Sequence, residues 1–373
     1  MRALVRVVWA MMRAPVLVLL CLYAAAGLAV AGSASSLALG RVLLVLVPFL
    51  VYSAVVNDLA DARIDAVNLP GDARRVVASG RAHRWQLRVV ALLGLLATLA
   101  AALSLGGLAL VVVASGLAVS TAYSLGPVRL AQRGILASLT LPACYVAVPY
   151  LLGILAVRPT VRWAEVPLLL ALYLAFIGRI ILKDFRDVRG DALFGKRTFL
   201  VRHGRVATCR VSAACWVGAS VLVIVLSPHR SSAMVVSTLA GAALATWLLG
   251  LLAADPGHRA EEQLISALAI LGRGTVLIVL LPMWAQAAGT ATGPAELLVT
   301  GVDVLTLGQA LDMRRRGPAR ALSPVRSGRT RRDSGTVGRR LRVRVTDEST
   351  PRPMETSSEH RDRRSERAAT GWS

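Results

Sequence analysis

The chain contains almost no lysine, few acidic residues and few aromatic ones. Lys183 and Lys196 are its only lysines among 43 basic residues, the acidic residues number 21, and aromatic residues make up 5%. Its four cysteines form no CxxC pair and have no histidine at ligand spacing, which argues against a disulfide framework and a zinc site. Because the basic residues are nearly all arginine and the chain is apolar, we expect membrane lipids, and no nucleic acid, as its partners.

Long apolar segments make up most of the chain before the C-terminal tail. Hydrophobic residues make up 55% of its 373 residues, and its mean hydropathy is +0.60. A membrane-spanning helix needs about 20 apolar residues. Nine segments qualify, near 14–36, 41–56, 87–105, 107–124, 134–156, 165–182, 207–227, 232–253 and 264–287. The first of them is followed by another span, so no cleavable signal peptide is predicted. The sequence therefore predicts an all-α integral membrane protein with nine transmembrane helices.

The arginines predict how these spans are oriented. With nine spans, 20 of the 26 basic residues before position 313 lie on one side: 18 with the N-terminus and the loops at 57–86, 125–133, 183–206 and 254–263, and Arg88 and Arg210 at the span ends that border these loops. Four lie on the opposite side, and Arg179 and Arg273 fall inside spans. Short cytoplasmic loops are enriched in Lys and Arg. We therefore expect a multi-pass protein of the cell membrane whose more basic side faces the cytoplasm.

The C-terminal part has a different composition. Residues 313–373 hold 17 arginines and 7 acids and few large apolar side chains, so we expect a disordered tail. The segment 291–312 before it is either an interfacial helix or a weak tenth span, and Asp303 near its centre favours the interfacial position. The expected domain organisation is a membrane domain over 1–290, this segment, and the tail.

The same acidic pattern follows two of the apolar segments. Residues 57–65 read NDLADARID and residues 184–191 read DFRDVRGD, each with aspartates at relative positions 0, 3 and 7. On a helix this spacing places three carboxylates on one face, where they repel unless a cation lies between them. Mg²⁺ takes one or two carboxylates per ion and keeps sites for water and phosphate oxygens. The pattern predicts two metal-binding stripes, formed by Asp58, Asp61, Asp65, Asp184, Asp187 and Asp191.

Basic residues accompany both stripes. Arg179 and Lys183 are four residues apart and share a helix face that leads into the second stripe. Charge close to a membrane span is costly, so both are candidates for binding an anion. Arg63, Arg75, Arg186 and Arg189 also lie close in sequence to the carboxylates. The aromatic residues Tyr123, Tyr145, Phe176 and Phe185 are candidates for lining an apolar cavity.

These motifs resemble those of the UbiA superfamily of intramembrane prenyltransferases. Asn57, Asp58, Asp61 and Asp65 match the family's NDxxDxxxD, and Asp184, Asp187 and Asp191 match its DxxDxxxD. Between them YSLGPVR, at 123–129, resembles the family's YSxxPxR. The resemblance covers about residues 10–290 and implies a helical bundle around a central cavity.

The resemblance also implies an activity and roles for residues. It implies Mg²⁺-dependent transfer of a prenyl group from a prenyl diphosphate to an acceptor, with the six aspartates as metal ligands. The implied catalytic residues are Tyr123, Arg129, Arg179 and Lys183, and the implied substrate-binding residues are Asn57, Arg63, Arg75 and Ser124. The acceptor, a small molecule or lipid, stays open, with an aromatic or quinone-precursor compound as the default.

Three other functions remain open at this point. A UbiA-type terpene cyclase would form product from a prenyl diphosphate alone. A transporter would share the spans but gives no reason for duplicated aspartate motifs. A non-catalytic membrane scaffold would keep its function when Asp58 and Asp184 are changed.

Overall fold

The computed structural model describes residues 2–68, 76–80, 82–226 and 231–317, which are almost entirely helical. The helices are α1 (Arg2–Met11), α2 (Ala14–Val30), α3 (Ser36–Asn68), α4 (Arg84–Leu103), α5 (Gly107–Ser124), α6 (Ile135–Pro142), α7 (Val148–Leu155), α8 (Val166–Ile180), α9 (Asp184–Leu193), α10 (Phe199–Leu226), α11 (Ser232–Ala253), α12 (His258–Ala287) and α13 (Thr292–Arg316). Two short strands, β1 (Arg133–Gly134) and β2 (Arg197–Thr198), pair in parallel.

The predicted all-α membrane fold is confirmed. Within the described ranges, eight helical segments are at least 18 residues long and apolar enough to cross a membrane. They are Ser36–Val67, Arg84–Leu103, Gly107–Ser124, Ile135–Leu155, Trp163–Val188, Phe199–Leu226, Ser232–Ala253 and His258–Ala287. Helix α2 is apolar throughout but has 17 residues, about 25 Å at 1.5 Å per residue. The ninth predicted span is therefore present as a helix of slightly smaller length.

The bundle depends on close packing between helices that carry small residues. Helix α2 packs against α3, α7 and α12. At its crossing with α7, a Cβ on Gly27 or on Gly153 would collide with the backbone of the opposite helix. Membrane helices pack through such small residues because lipid supplies no hydrophobic drive for their association. These two glycines therefore allow α2 to lie directly on α7.

Two helices extend the spans to hold the aspartate motifs. Helix α3 has 33 residues, so it continues well past the predicted 41–56 segment and carries the first motif in its last turns. The second motif forms α9, which follows α8 through a 3₁₀ turn at Ile181–Lys183. The β1–β2 pair joins the loop after α5 to the loop after α9. The loop that carries Arg129 is thereby tied to the loop that follows the second motif.

The boundary of the C-terminal segment differs from the prediction. Helix α13 continues to Arg316, past the expected tail start at 313. The reason is packing: Met313 lies against the apolar core, and the guanidinium of Arg314 lies 4.2 Å from the ring centre of Trp247. The rest of the tail, residues 318–373, lies outside the described residues.

Candidate active site

The first aspartate motif lies on one buried face of α3, as its spacing predicts. Asp58, Asp61 and Asp65 are all buried. Asn57 donates to Asp61 from Nδ2 at 3.1 Å, and the backbone N–H of Val77 donates to Asp58 Oδ2 at 3.2 Å. An ionised carboxylate removed from water needs partners of this kind or a cation. The motif is therefore held as a set of charged oxygens inside the protein.

The second motif lies on the short helix α9. Asp184 and Asp191 are buried and Asp187 is half-buried. Because α9 begins at Asp184, the positive end of the helix dipole lies beside Asp184 and Asp187. Asp191 forms an ion pair with Lys196, with 3.2 Å between Oδ1 and Nζ. Burial raises the pKa of Asp191 to about 6, although Lys196 acts in the opposite direction.

Packing of α3 against α9 brings the two motifs to the same end of the bundle. In the part of the chain that the structure describes, no three His, Cys, Asp or Glu side chains come close enough to form a ready-made metal centre. Mg²⁺ does not need one, since it binds through one or two carboxylates and fills its other sites with water and phosphate oxygens. Five buried carboxylates on two adjoining helices fit that chemistry, because hard oxygen donors are what this ion prefers.

Tyr123, the first residue of the YSLGPVR segment, contacts Lys183 beside the second aspartate motif. The ammonium of Lys183 donates to the hydroxyl of Tyr123 at 2.9 Å and lies 5.5 Å from its ring centre. Tyr123 and Ser124 are both buried at the end of α5. Lys183 directly precedes Asp184. The structure thus places a cation and a phenol beside the second motif.

Arg129 reaches the first motif instead. Its Nη2 donates to Asp61 Oδ1 at 3.1 Å and approaches the carbonyl oxygen of Ala60 at 3.5 Å. With the amide oxygen of Gln132 turned toward it, Nη1 and Nε donate there at 3.1 and 3.3 Å. Arg129 has a left-handed backbone, with φ 39°, which is strained for a residue with a side chain. The surrounding contacts hold this guanidinium in place.

Arg63 is not brought to the carboxylates. It is exposed and lies on the face of α3 opposite the three aspartates. It lines a cavity of about 380 Å³ together with Leu59, Ala60, Ile64, Arg84, Arg129, Gln132 and Phe194. Arg186 turns away as well, since it pairs with Glu262 of α12 at 3.0 Å. Arg75 lies outside the described residues.

The aromatic candidates divide between two clusters. Tyr145 and Phe176 stack with their ring centres 6.1 Å apart, and Tyr23 meets Phe176 edge-on at 6.3 Å. The guanidinium of Arg179 lies 4.8 Å from the ring centre of Phe176. Tyr123 belongs to the same core cluster. Phe185 packs in another cluster, which excludes it from this group.

Sequence reasoning missed three basic residues that the fold places near these groups. The charge of Arg273, in α12, acts on Arg179, and Gly272 beside it leaves room for the Arg179 side chain. The charge of Arg13, between α1 and α2, acts on Tyr145. Lys196 pairs with Asp191. The position of Arg273 inside a span was the one available signal, whereas the other two meet their partners only through folding.

Known proteins are similar to this chain in sequence and in fold. The model of the UbiA prenyltransferase family matches residues 18–271. The bacteriochlorophyll synthase 34 kDa chain of Chloroflexus aurantiacus is 32% identical over 180 residues, which are 48% of this chain and 56% of that protein. The bacteriochlorophyll synthase 33 kDa chain of Rhodobacter capsulatus is 27% identical over 194 residues, 49% of this chain and 62% of that one. The chain thus spans less than two thirds of the length of either relative.

Solved structures show the same architecture. A digeranylgeranylglyceryl phosphate synthase matches with a TM-score of 0.57 and 19% identity, over 78% of this chain and 100% of that one. A UbiA homologue from Archaeoglobus fulgidus, solved with GPP and Mg²⁺, matches with a TM-score of 0.56 and 14% identity, over 81% and 99%. The family model matches more than half of the sequence, and the two aspartate motifs meet at one end of a membrane bundle. The chain therefore belongs to the UbiA prenyltransferase family.

Proposed function

We propose that this protein transfers a prenyl group from a prenyl diphosphate to an aromatic or quinone-precursor acceptor in the membrane, in a reaction that requires Mg²⁺. One observation carries the proposal: α3 and α9 pack together and present five buried aspartates, with Lys183 next to them. Buried like charges are costly without a counter-charge, so a site of this composition is suited to cations that a diphosphate brings with it. The family and the GPP-bound structure of a homologue support the same conclusion.

The aspartates are the residues that would hold the metal. Asp58, Asp61 and Asp65 contribute from α3, and Asp184, Asp187 and Asp191 from α9. Bound there with the diphosphate, Mg²⁺ would offset the negative charge that develops on the leaving group. Asn57 positions Asp61 through its 3.1 Å hydrogen bond, so its role is orientation of a carboxylate.

Lys183 is the residue proposed to bind the leaving diphosphate directly. Tyr123 holds its ammonium in place, and a cation that is already oriented stabilises developing charge without reorganisation. Arg179 lies one helical turn further into the membrane and adds positive charge on the same face. Arg129 would act from the other side, through Asp61. Ser124, buried at the end of α5, is a further candidate for binding the substrate.

The reaction breaks the bond between C1 of the prenyl group and a diphosphate oxygen, and the diphosphate leaves with the electron pair. An acceptor nucleophile forms the new bond to C1 and loses its proton to the released diphosphate or to solvent. The positive charge on the prenyl group during transfer requires a dry, aromatic environment. The Tyr23, Tyr145 and Phe176 rings supply one beside Arg179.

A second candidate for the acceptor comes from the curated relatives. Both are chains of bacteriochlorophyll synthases, which favours a tetrapyrrole acceptor. We also propose that the site faces the cytoplasm, since 20 of the 26 basic residues before position 313 lie on its side.

Purified protein in lipid nanodiscs, supplied with geranylgeranyl diphosphate, tests the proposal. With Mg²⁺ and an acceptor from either class, we expect diphosphate release and a prenylated product detected by mass spectrometry, and neither in EDTA. A cyclic hydrocarbon formed without acceptor would show a terpene cyclase instead. Absence of product from acceptors of both classes, with no Mg²⁺-dependent binding of the prenyl diphosphate, would contradict prenyl transfer and favour a scaffold.

A further inference from the structure

Helix α13 lies lengthwise along the bundle. Its 25 residues span about 37 Å, enough to cross a hydrocarbon core of about 30 Å. Along α12, a Cβ on Gly274 would collide with Thr306, and Gly317 lies against Gln263. Thr306 lies against Gly274 and the later Gly317 lies against the earlier Gln263, so the two helices are antiparallel. Helix α13 therefore follows α12 over most of its length.

Contacts with α11 also show that α13 runs lengthwise along the bundle. Ser237, near the start of α11, is hydrogen-bonded to Asp303, and Trp247, near its end, lies under Arg314. Helices α11 and α13 are therefore parallel. Helix α11 is apolar and long enough to cross the membrane, so a parallel neighbour that matches it from Ser237 to Trp247 extends through the same depth.

The two faces of α13 have the polarity of a membrane helix. Its inward face buries Ala295, Val299, Thr306 and Ala310, and the only ionisable residue between Glu296 and Asp312 is Asp303, which points to Ser237. Its outward face exposes Leu297, Leu298, Val304 and Leu305 by 58–77%. An interfacial helix shows the reverse pattern, with charged residues on its outer face. The outward face of α13 instead suits lipid chains.

Asp303 is then no obstacle to insertion. An aspartate at the centre of a lipid-facing helix opposes insertion into the membrane. Polar residues inside membranes face the bundle interior and pair there, and Asp303 does so with the hydroxyl of Ser237. Asp303, which argues against a tenth span when the sequence is considered alone, therefore connects α13 to α11.

The position of the C-terminal end follows from α12. Glu262, one position before Gln263, pairs with Arg186 of the second aspartate motif. Because Gln263 lies against Gly317, the end of α13 reaches the level of that motif. Arg314, Arg315 and Arg316 lie there, followed by the arginine-rich residues to 373. Arg314 over Trp247 has the composition of a membrane-interface anchor.

We infer that α13 is a tenth membrane crossing, and that it presents Arg314, Arg315 and Arg316 to anionic lipid headgroups on the side of the aspartate motifs. This inference is independent of the proposed catalytic activity. With ten crossings, Arg314, Arg315 and Arg316 join the 20 basic residues on that side, in agreement with the usual bias of cytoplasmic loops. Each arginine near an anionic surface adds attraction, so a cluster favours anionic over neutral lipid.

Cysteine labelling tests the crossing. In a full-length chain whose four native cysteines are replaced by alanine, one new cysteine is introduced at His258, Thr290 or Ser334. His258 starts α12 at the motif end, and Thr290 lies between α12 and α13 at the opposite end. An impermeant maleimide should label the variant at Thr290 from one side of the membrane, and those at His258 and Ser334 from the other. Labelling at Ser334 from the side that labels Thr290 would overturn the tenth crossing.

Lipid retention tests the docking surface. Protein purified from membranes of mixed lipid is analysed by native mass spectrometry for bound phosphatidylglycerol and phosphatidylcholine. We expect at least roughly a tenfold preference for phosphatidylglycerol, lost largely when Arg314, Arg315 and Arg316 are all changed to Gln. Arg259→Gln, which changes an exposed arginine at the start of α12, is the control and should retain the preference. An unchanged preference in this triple variant would refute the lipid part and leave the labelling result as the test of topology.

Discussion

The two aspartate motifs have the same spacing but are built into different supports. The first lies in the last turns of an uninterrupted 33-residue helix, whereas the second is a helix of 10 residues entered through a 3₁₀ turn. A long helix packed on α4 and α9 keeps its carboxylates in one orientation. A short helix between two loops depends on side-chain contacts for its position. Identical local patterns can thus differ in how their geometry is maintained.

Their counter-charges differ in the same way. Asp61 of the first motif is bound by the guanidinium of Arg129, which is planar and directional. The second motif is flanked by Lys183 and Lys196, the only lysines in the chain. Lysine acts as a point charge on a flexible stem and needs a partner to orient it. Tyr123 does this for Lys183, and Asp191 does it for Lys196.

Loss of an aspartate from either motif should have the largest effect. Asp58→Ala and Asp184→Ala are each expected to lower Mg²⁺-dependent diphosphate release by more than about a hundredfold, because both stripes must share the metal–diphosphate charge. Asp255→Asn is the control, since that side chain is 73% exposed and lies between α11 and α12. If one variant kept near-normal activity, only the other motif would bind the metal.

Removal of Lys196 should destabilise the second motif selectively. Lys196→Met leaves Asp191 buried and uncompensated, so we expect about 3 kcal/mol less stability in thermal unfolding in EDTA. Added Mg²⁺ should restore part of this, since the ion would supply the missing charge. Arg259→Met, at an exposed position, should leave the melting temperature unchanged. An equal loss in both variants would mean that the Lys196 pair has no special role.

Lys183 and Tyr123 should have separable effects. Lys183→Met is expected to lower turnover by roughly 30-fold, because a cation at the leaving group is lost. Tyr123→Phe removes only the hydroxyl that orients the ammonium, and about tenfold is expected for one hydrogen bond to a charged group. Steady-state turnover of diphosphate release measures both. A larger loss in Tyr123→Phe than in Lys183→Met would show that the phenol has a direct catalytic role.

The smallest effect is expected at Arg129. Arg129→Lys keeps the charge near Asp61 but loses the planar contacts to Asp61 and Gln132, and the site is partly exposed to solvent. We expect roughly a fivefold loss of turnover. The same substitution at Arg186, which pairs with Glu262 on the outer side of α9, is the matched control and should change turnover less. Equal losses would indicate that the first motif does not depend on directional contacts.

The sequence was sufficient for every feature that depends on local periodicity. Apolar runs predict spans because lipid offers the backbone no hydrogen bonds, which leaves the helix as the available structure. The 0, 3 and 7 spacing predicts that Asp58, Asp61 and Asp65 share a helix face, and they do so on α3. Neighbouring residues such as Lys183 and Asp184 could be grouped for the same reason.

Tertiary structure decided which of the candidates meet. Helix periodicity alone turns Arg63 away from Asp61, whereas tertiary structure brings Arg129 to Asp61 from another loop. The hydrogen-bond partner of Asp303 is also a product of packing, because α13 must lie against α11 for Asp303 to meet Ser237. Periodicity is a property of a single helix, so the local sequence is enough to predict it. The counter-charges of buried groups come from other helices, so they exist only once the bundle has packed.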